Sequence, residues 1–235
     1  MNWADRLDLF APLDFGAVAC LVISWILLGI LIEHPPAQHA SVSKLMARYR
    51  HEWMTQMIDR QPRVFDGQIM LTLRQGTTFF ASTTMIAIGG GFALLGNMER
   101  FIGVASDLTF ESDPEIVWKI KILILLVFLS NAFLKFVWAH RLFGYGSVLM
   151  AAVPNDPENP LCAGRAAQAG DVINTAARSF NRGLRSVYFS LASAVFLIGP
   201  VALMGAVAIT WFVLLRREFA SHSRAVLLAE NDTQT

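Results

Sequence analysis

Charge is scarce in this chain. Of its 235 residues only 16% are Asp, Glu, Lys or Arg, against about 25% in an average soluble domain. The net charge is +1, which excludes the basic footprint of a nucleic-acid binder. Cysteine is scarcer still: Cys20 sits in an apolar run and Cys162 in a polar stretch, so neither a disulfide framework nor a zinc site is available. There is no nucleophile elbow, zinc-helix motif or dinucleotide fingerprint. Gly89-Gly90-Gly91 is not a phosphate loop, because no strand precedes it and no Lys-Ser/Thr follows it. Nothing here argues for an enzyme, and no cofactor or metal is called for.

What the chain has is apolar mass. Hydrophobic residues make up 54% of it, and the mean hydropathy is +0.48. Four apolar runs stand out, at about 15–32, 78–95, 120–137 and 187–215. Each approaches or exceeds the roughly 20 residues that cross a bilayer as a helix. The expected fold is all-α: a single polytopic membrane bundle over 1–235, with four transmembrane helices, some of them extended into the cytoplasm. The first run is too long for a typical signal-peptide core and is followed by Glu33-His34-Pro35-Pro36 rather than a cleavage signal, so it reads as a retained anchor, with a cleaved signal peptide as the lesser alternative.

Basic residues orient the helices. The connection at about 41–75 carries Lys44, Arg48, Arg50, Arg60, Arg63 and Arg74, and that at about 141–186 carries Arg141, Arg165, Arg178, Arg182 and Arg185. The intervening segment has only Arg100 and Lys119, amid acids that include Asp107, Glu111 and Asp113, and the N-terminus has Arg6 alone. The positive-inside rule places both connections in the cytoplasm and, with four spans, both termini outside. Arg216, Arg217 and Arg224 in the tail argue mildly the other way. Both connections read as helical. Val42, Leu45, Met46, Tyr49, Trp53 and Met57 form one stripe, the spacing of a helix packed on neighbours or lying on the membrane surface. Packing is preferred, since Met and Trp stripes are ordinary core material. Residues 154–160, with three prolines, must be loop.

Polar residues at membrane depth are few. Span two carries Ser82 and Thr83 beside its glycines, the composition of a close helix–helix contact and, as an alternative, of a hydroxyl-lined path. Lys121 and Lys135 in span three are only about 20 Å apart along a helix, so at least one snorkels or faces the protein interior. Asn131 shares a face with Lys135. No Asp or Glu lies in a span core, so a buried Lys135 would look to Glu33 first and Asp66 second. His34 and His140 lack a ligand-spacing motif. The main polar constellation is cytoplasmic: Asn174, Arg178, Asn181, Arg182 and Arg185 on one face before span four, with Arg63, Asp66 and Arg74 in the matching place before span two. It reads either as an ion-paired network that locks long helices together or as an anion or lipid-headgroup site, since arginine forks suit phosphate and carboxylate.

Several of these motifs bear a family likeness. Arg63-Val64-Phe65-Asp66, then Phe79-Phe80-Ala81-Ser82-Thr83, then Phe180-Asn181-Arg182-Gly183-Leu184-Arg185 with Tyr188-Phe189, and finally Arg217-Glu218-Phe219 with Ser221 resemble, in content and order, the family called domain of unknown function 599. The resemblance spans most of the chain. It implies a bacterial-type multi-spanning membrane protein with no established activity. The expected function is a component of the cell inner membrane that associates with itself or with a partner protein, in contact with membrane lipids. Transport of a small solute or ion would need a polar path lined by Ser82, Thr83, Asn131 and Ser193. The alternatives are an assembly subunit without transport and a haem or quinone redox protein.

Overall fold

The computed structural model describes residues 9–36, 39–106 and 114–229. Arg6, Asp107, Glu111 and Asp113 lie outside the described residues. Those described form helices with no strand among them: α1 Pro12–Glu33, α2 Val42–Met57, α3 Val64–Gly96, α4 Met98–Ser106, α5 Glu115–Ala151, α6 Leu161–Ala194, a short 3-10 turn Val195–Leu197, α7 Pro200–Phe219 and α8 His222–Ala229. Four stretches among them are long and apolar enough to cross a membrane: α1, α3, α5 and Pro200–Ala229. The protein is an all-α membrane-type bundle.

Side-chain contacts give the helix directions. α3 runs antiparallel to α5, with the Thr77 hydroxyl 3.2 Å from His140 Nδ1 and the Phe80 and Phe136 rings 5.4 Å apart. α6 runs antiparallel to α5 along its whole length. Ser179 Oγ donates to Lys135 O at 3.0 Å, Ser186 Oγ to Asn131 Oδ1 at 3.2 Å, and Lys121 Nζ lies 5.0 Å from the Phe196 ring centroid. Close approach of the two backbones needs glycine: a Cβ on Gly183 would stand 2.6 Å from the Phe136 ring, and one on Gly146 2.7 Å from Ile173. Phe136 has nowhere to retreat, because Phe80 and Phe180 pack on it at 5.4 and 5.5 Å.

The expected single span at 187–215 is two helices folded into a hairpin. The 3-10 turn ends α6, Gly199 adopts φ 146°, and Pro200 opens α7. A positive φ is cheap only for glycine, and proline suits the first turn of a helix because its missing N–H would have no partner there. α7 then returns beside α1 and parallel to it. Gly16 is near Met204, Trp211 Nε1 donates to Ser24 O at 3.1 Å, and Glu218 accepts from Ser43 N and Oγ, both at 3.0 Å. The two ends of the described chain therefore lie at opposite ends of the bundle, not at the same end as expected.

α6 is the central helix. From Ser179 to Phe196 it lies at the depth of the apolar part of α5, yet it is rich in serine. Ser186, Ser190 and Ser193 are buried, and each donates internally, Ser190 to Val187 O and Ser193 to Ser190 O, both at 2.7 Å. Satisfied hydroxyls are tolerated where no lipid is met. α2 packs on α6 by burying Leu45, Met54 and Met57, and Ser41 Oγ anchors its start by donating to Ile32 O at 2.8 Å.

Candidate anion-binding cleft

Between α1 and α5, with α6 as its floor, lies a cleft of about 320 Å³. Its deep part is apolar: Trp25, Ile26, Gly29 and Ile30 line it, and Trp25 meets Phe128 edge-on at 5.4 Å. Its upper part is charged and polar, with Glu33, His34, Asn131, Lys135, Arg182 and Arg185. Helical spacing explains the layering. From Trp25 to Glu33 α1 climbs about 12 Å at 1.5 Å per residue, from acyl depth to the end of the span.

Glu33 is the hub. Arg182 grips it with both arms of its fork, Nε donating to Oε1 at 2.8 Å and Nη2 to Oε2. Arg185 Nη2 donates to Oε1 as well. The Arg185 and Glu33 side chains are 8% and 12% exposed, while Arg182 is 46% exposed. The carboxylate is thus saturated by two guanidiniums in a largely dry place, which is where charge-assisted bonds count most.

Glu33 and Arg185 also form the wall of a second cavity of about 70 Å³, completed by Lys44, Arg50, Asn174, Arg178 and Asn181 among others. Arg50 Nη1 donates to Asn174 Oδ1 at 3.3 Å, and Asn174 Nδ2 donates to Ala47 O at 3.0 Å. Asn181 Nδ2 reaches Ser43 Oγ at 3.4 Å. Burial holds the Arg50 guanidinium below its ordinary pKa, because the charged form has lost water. Across the two cavities Lys44, Arg50, Lys135, Arg178, Arg182 and Arg185 face a single lining carboxylate, Glu33, with Glu218 behind Ser43.

The expected polar cluster therefore divides. Arg178, Asn181, Arg182 and Arg185 converge here. Arg63, Asp66 and Arg74 stand elsewhere, at the base of α3. Arg63 ties down the loop after α5, donating to Val153 O at 2.7 Å and Pro154 O at 2.8 Å. Asp66 is fully buried. It accepts from Trp53 Nε1 at 2.7 Å and from Arg60, which pins the α2–α3 corner. Arg74 lines a separate cavity of about 430 Å³ with Arg63, Met57, Met70 and Met150.

Lys135 shares the cleft with Glu33 but forms no ion pair with it or with Asp66; both carboxylates are taken by arginines. Lys121 is the lysine that turns inward, 2% exposed. Of the residues expected to line a path, only Asn131 faces the cleft. Ser82 and Thr83 are exposed on the outside of α3, and Ser193 is buried within the bundle. His34 lines the cleft while His140 bonds Thr77 and Thr78, so the two do not share a site. Lys44 and Arg50 entered the site unannounced, beside the expected Asn174. Only the long-range docking of α2 on α6 brings those two cations there, a contact that spacing along one helix does not encode.

A family model described as "Protein of unknown function, DUF599" matches residues 16–223. No curated protein matches, and no solved structure does.

Proposed function

The chain belongs to this family of unknown function, DUF599, and from the geometry of its basic cleft we propose that it is a non-enzymatic component of the bacterial inner membrane that binds an anion at its cytoplasmic boundary. The observation that carries this is the charge imbalance among the described residues, six cations around two adjoining cavities against one lining carboxylate. Arg50 and Lys135 carry the most weight, because both are partly buried with no described carboxylate bound to them, and charge drawn away from water without a counter-ion is costly.

The same reading sets the topology. In it α1, α3, α5, α6 and α7 make five passes, α6 crossing inside the bundle without being one of the helices apolar enough to meet lipid, with the start of α1 outside and α8 in the cytoplasm. This removes the one conflict in the charge pattern. Arg216, Arg217 and Arg224 now join the basic end, Arg224 Nε donating to Ala40 O at 2.9 Å, as the positive-inside rule requires.

Inorganic phosphate is the first probe. A site holding it at a hundred times its Kd adds about 2.7 kcal/mol of stability. Thermal unfolding in detergent is expected to shift upward with phosphate over chloride at matched ionic strength, and Arg50→Gln is expected to shrink that shift. Equal curves in the two salts would count against the site.

Self-association is a second reading, with its own observation. The outer face of α3 presents Ser82, Thr83, Gly89 and Gly90 outward, and Cβ atoms built on either glycine meet nothing within 4 Å. Small residues and free hydroxyls facing lipid suit a second copy of the same helix. Any small-solute route would then run between copies, along Ser82 and Thr83; without one, the protein is an assembly subunit. Oxidation of Thr83→Cys in native membranes is expected to give a disulfide-linked dimer that Gly90→Leu suppresses. A persistent monomer in the membrane would argue for a lone subunit.

A further inference from the structure

Resting on the anion-site reading, we infer that the occupant of the larger cleft is an anionic phospholipid of the cytoplasmic leaflet, entering sideways from the bilayer. Three features point this way. The cleft opens toward lipid: Ile26 and Ile30 at its lip are 48% and 55% exposed, and a Cβ on Gly29 would meet nothing within 4 Å. Its chemistry is layered as a lipid is layered. Arg182 and Lys135 stand with Glu33 at headgroup level, Asn131 stands about one helical turn below Lys135, and Ile26 and Trp25 stand about two turns below Glu33. Its volume of about 320 Å³ suits a headgroup with the upper part of one chain, leaving the rest of the lipid in the bilayer. The cavity on the other side of Glu33 and Arg185 holds only about 70 Å³, room for a small soluble anion but not for a lipid headgroup and chain.

In this arrangement the phosphodiester takes the face of Arg182 that Glu33 leaves to solvent, together with the Lys135 ammonium, and Asn131 is within the same wall. Glu33 stays on Arg185 and keeps the buried guanidinium neutralised when the lipid leaves. One acyl chain lies along the groove that Gly29 keeps open, ending on the Trp25 ring.

The test uses the full chain in detergent micelles doped with dioleoyl phosphatidylglycerol or dioleoyl phosphatidylcholine, read by native mass spectrometry, with inorganic phosphate followed separately by thermal shift. The wild type is expected to retain phosphatidylglycerol about tenfold better than phosphatidylcholine, a difference equal to about 1.4 kcal/mol. Gly29→Leu, which fills the groove, is expected to abolish that preference, while Gly205→Leu on the exposed face of α7 keeps it. Lys135→Gln is expected to lower it about fivefold, roughly the effect of one basic residue near a charged lipid surface. If Gly29→Leu retains the preference, the lipid is not in this cleft and the inference falls. If phosphate stabilises the protein but the two lipids are held equally, the anion site stands and the lipid assignment falls. If neither phosphate nor phosphatidylglycerol is favoured, both readings fall together.

Discussion

Glu33→Ala is expected to cost about 3–5 kcal/mol of stability, the usual penalty for removing one partner of a buried ion pair. The carboxylate is held by two guanidiniums, and the two do not contribute equally. Arg182 is nearly half exposed, and water can replace its lost partner, so its share is small. Arg185, 8% exposed, has little water to turn to and carries most of the loss. Against a net stability of about 5–15 kcal/mol, this is enough to lower the unfolding midpoint severely. Glu33→Gln should be milder, because an amide oxygen still accepts one guanidinium bond. Phosphate should stabilise either variant more than it stabilises the wild type, since an added anion takes the place of the missing carboxylate. Thermal unfolding of the three proteins across a phosphate series checks both signs. A Glu33→Ala protein as stable as the wild type at low salt would mean that the Glu33 hub is not what holds α1 to α6.

The hairpin made by α6 and α7 has the larger consequence, because it decides which side of the membrane the last turn of α7 and the whole of α8 occupy. Its cause is local. Gly199-Pro200 sits inside a long apolar run, and together the two residues stop one helix and start the next. The run at 187–215 has 29 residues, about 43 Å as one helix, already well beyond the roughly 30 Å of hydrocarbon. That excess and the Gly-Pro pair were the signal in the sequence. Apolar length outweighed them because α6 does not look like a span. Its serines and most of its alanines are buried against protein, so this heavily buried helix is only weakly apolar.

Much else was legible. The first three apolar runs fall within α1, α3 and α5, and the proline-rich stretch at 154–160 is the turn between α5 and α6. Helical spacing alone put Arg178, Asn181, Arg182 and Arg185 on one face, and they do meet at one site. Depth alone brought Glu33 and Lys135 to the same cleft. It could not choose the partner, since that depends on which side chain reaches the carboxylate: Arg182 closes on it with a two-armed fork, and a lysine offers only a point charge. The symmetry drawn between the two connections misled. Arg63 and Asp66 hold similar places along the chain, but they are spent on fastening a loop and the α2–α3 corner. The lining cations Lys44 and Arg50 came from a helix whose partner is more than a hundred residues away, beyond the reach of periodicity.

The five proposed passes gather the basic connections and the tail arginines at one end of the bundle. Labelling of single cysteines in intact cells, on a background with Cys20 and Cys162 replaced by serine, tests this directly. Ser223→Cys at the tail and Glu158→Cys in the α5–α6 loop should both be shielded from a membrane-impermeant maleimide until the membrane is opened, while Ala11→Cys before α1 should react at once. A tail cysteine that reacts from outside together with Ala11→Cys would restore four passes, separate the tail arginines from the cleft, and contradict the proposed arrangement.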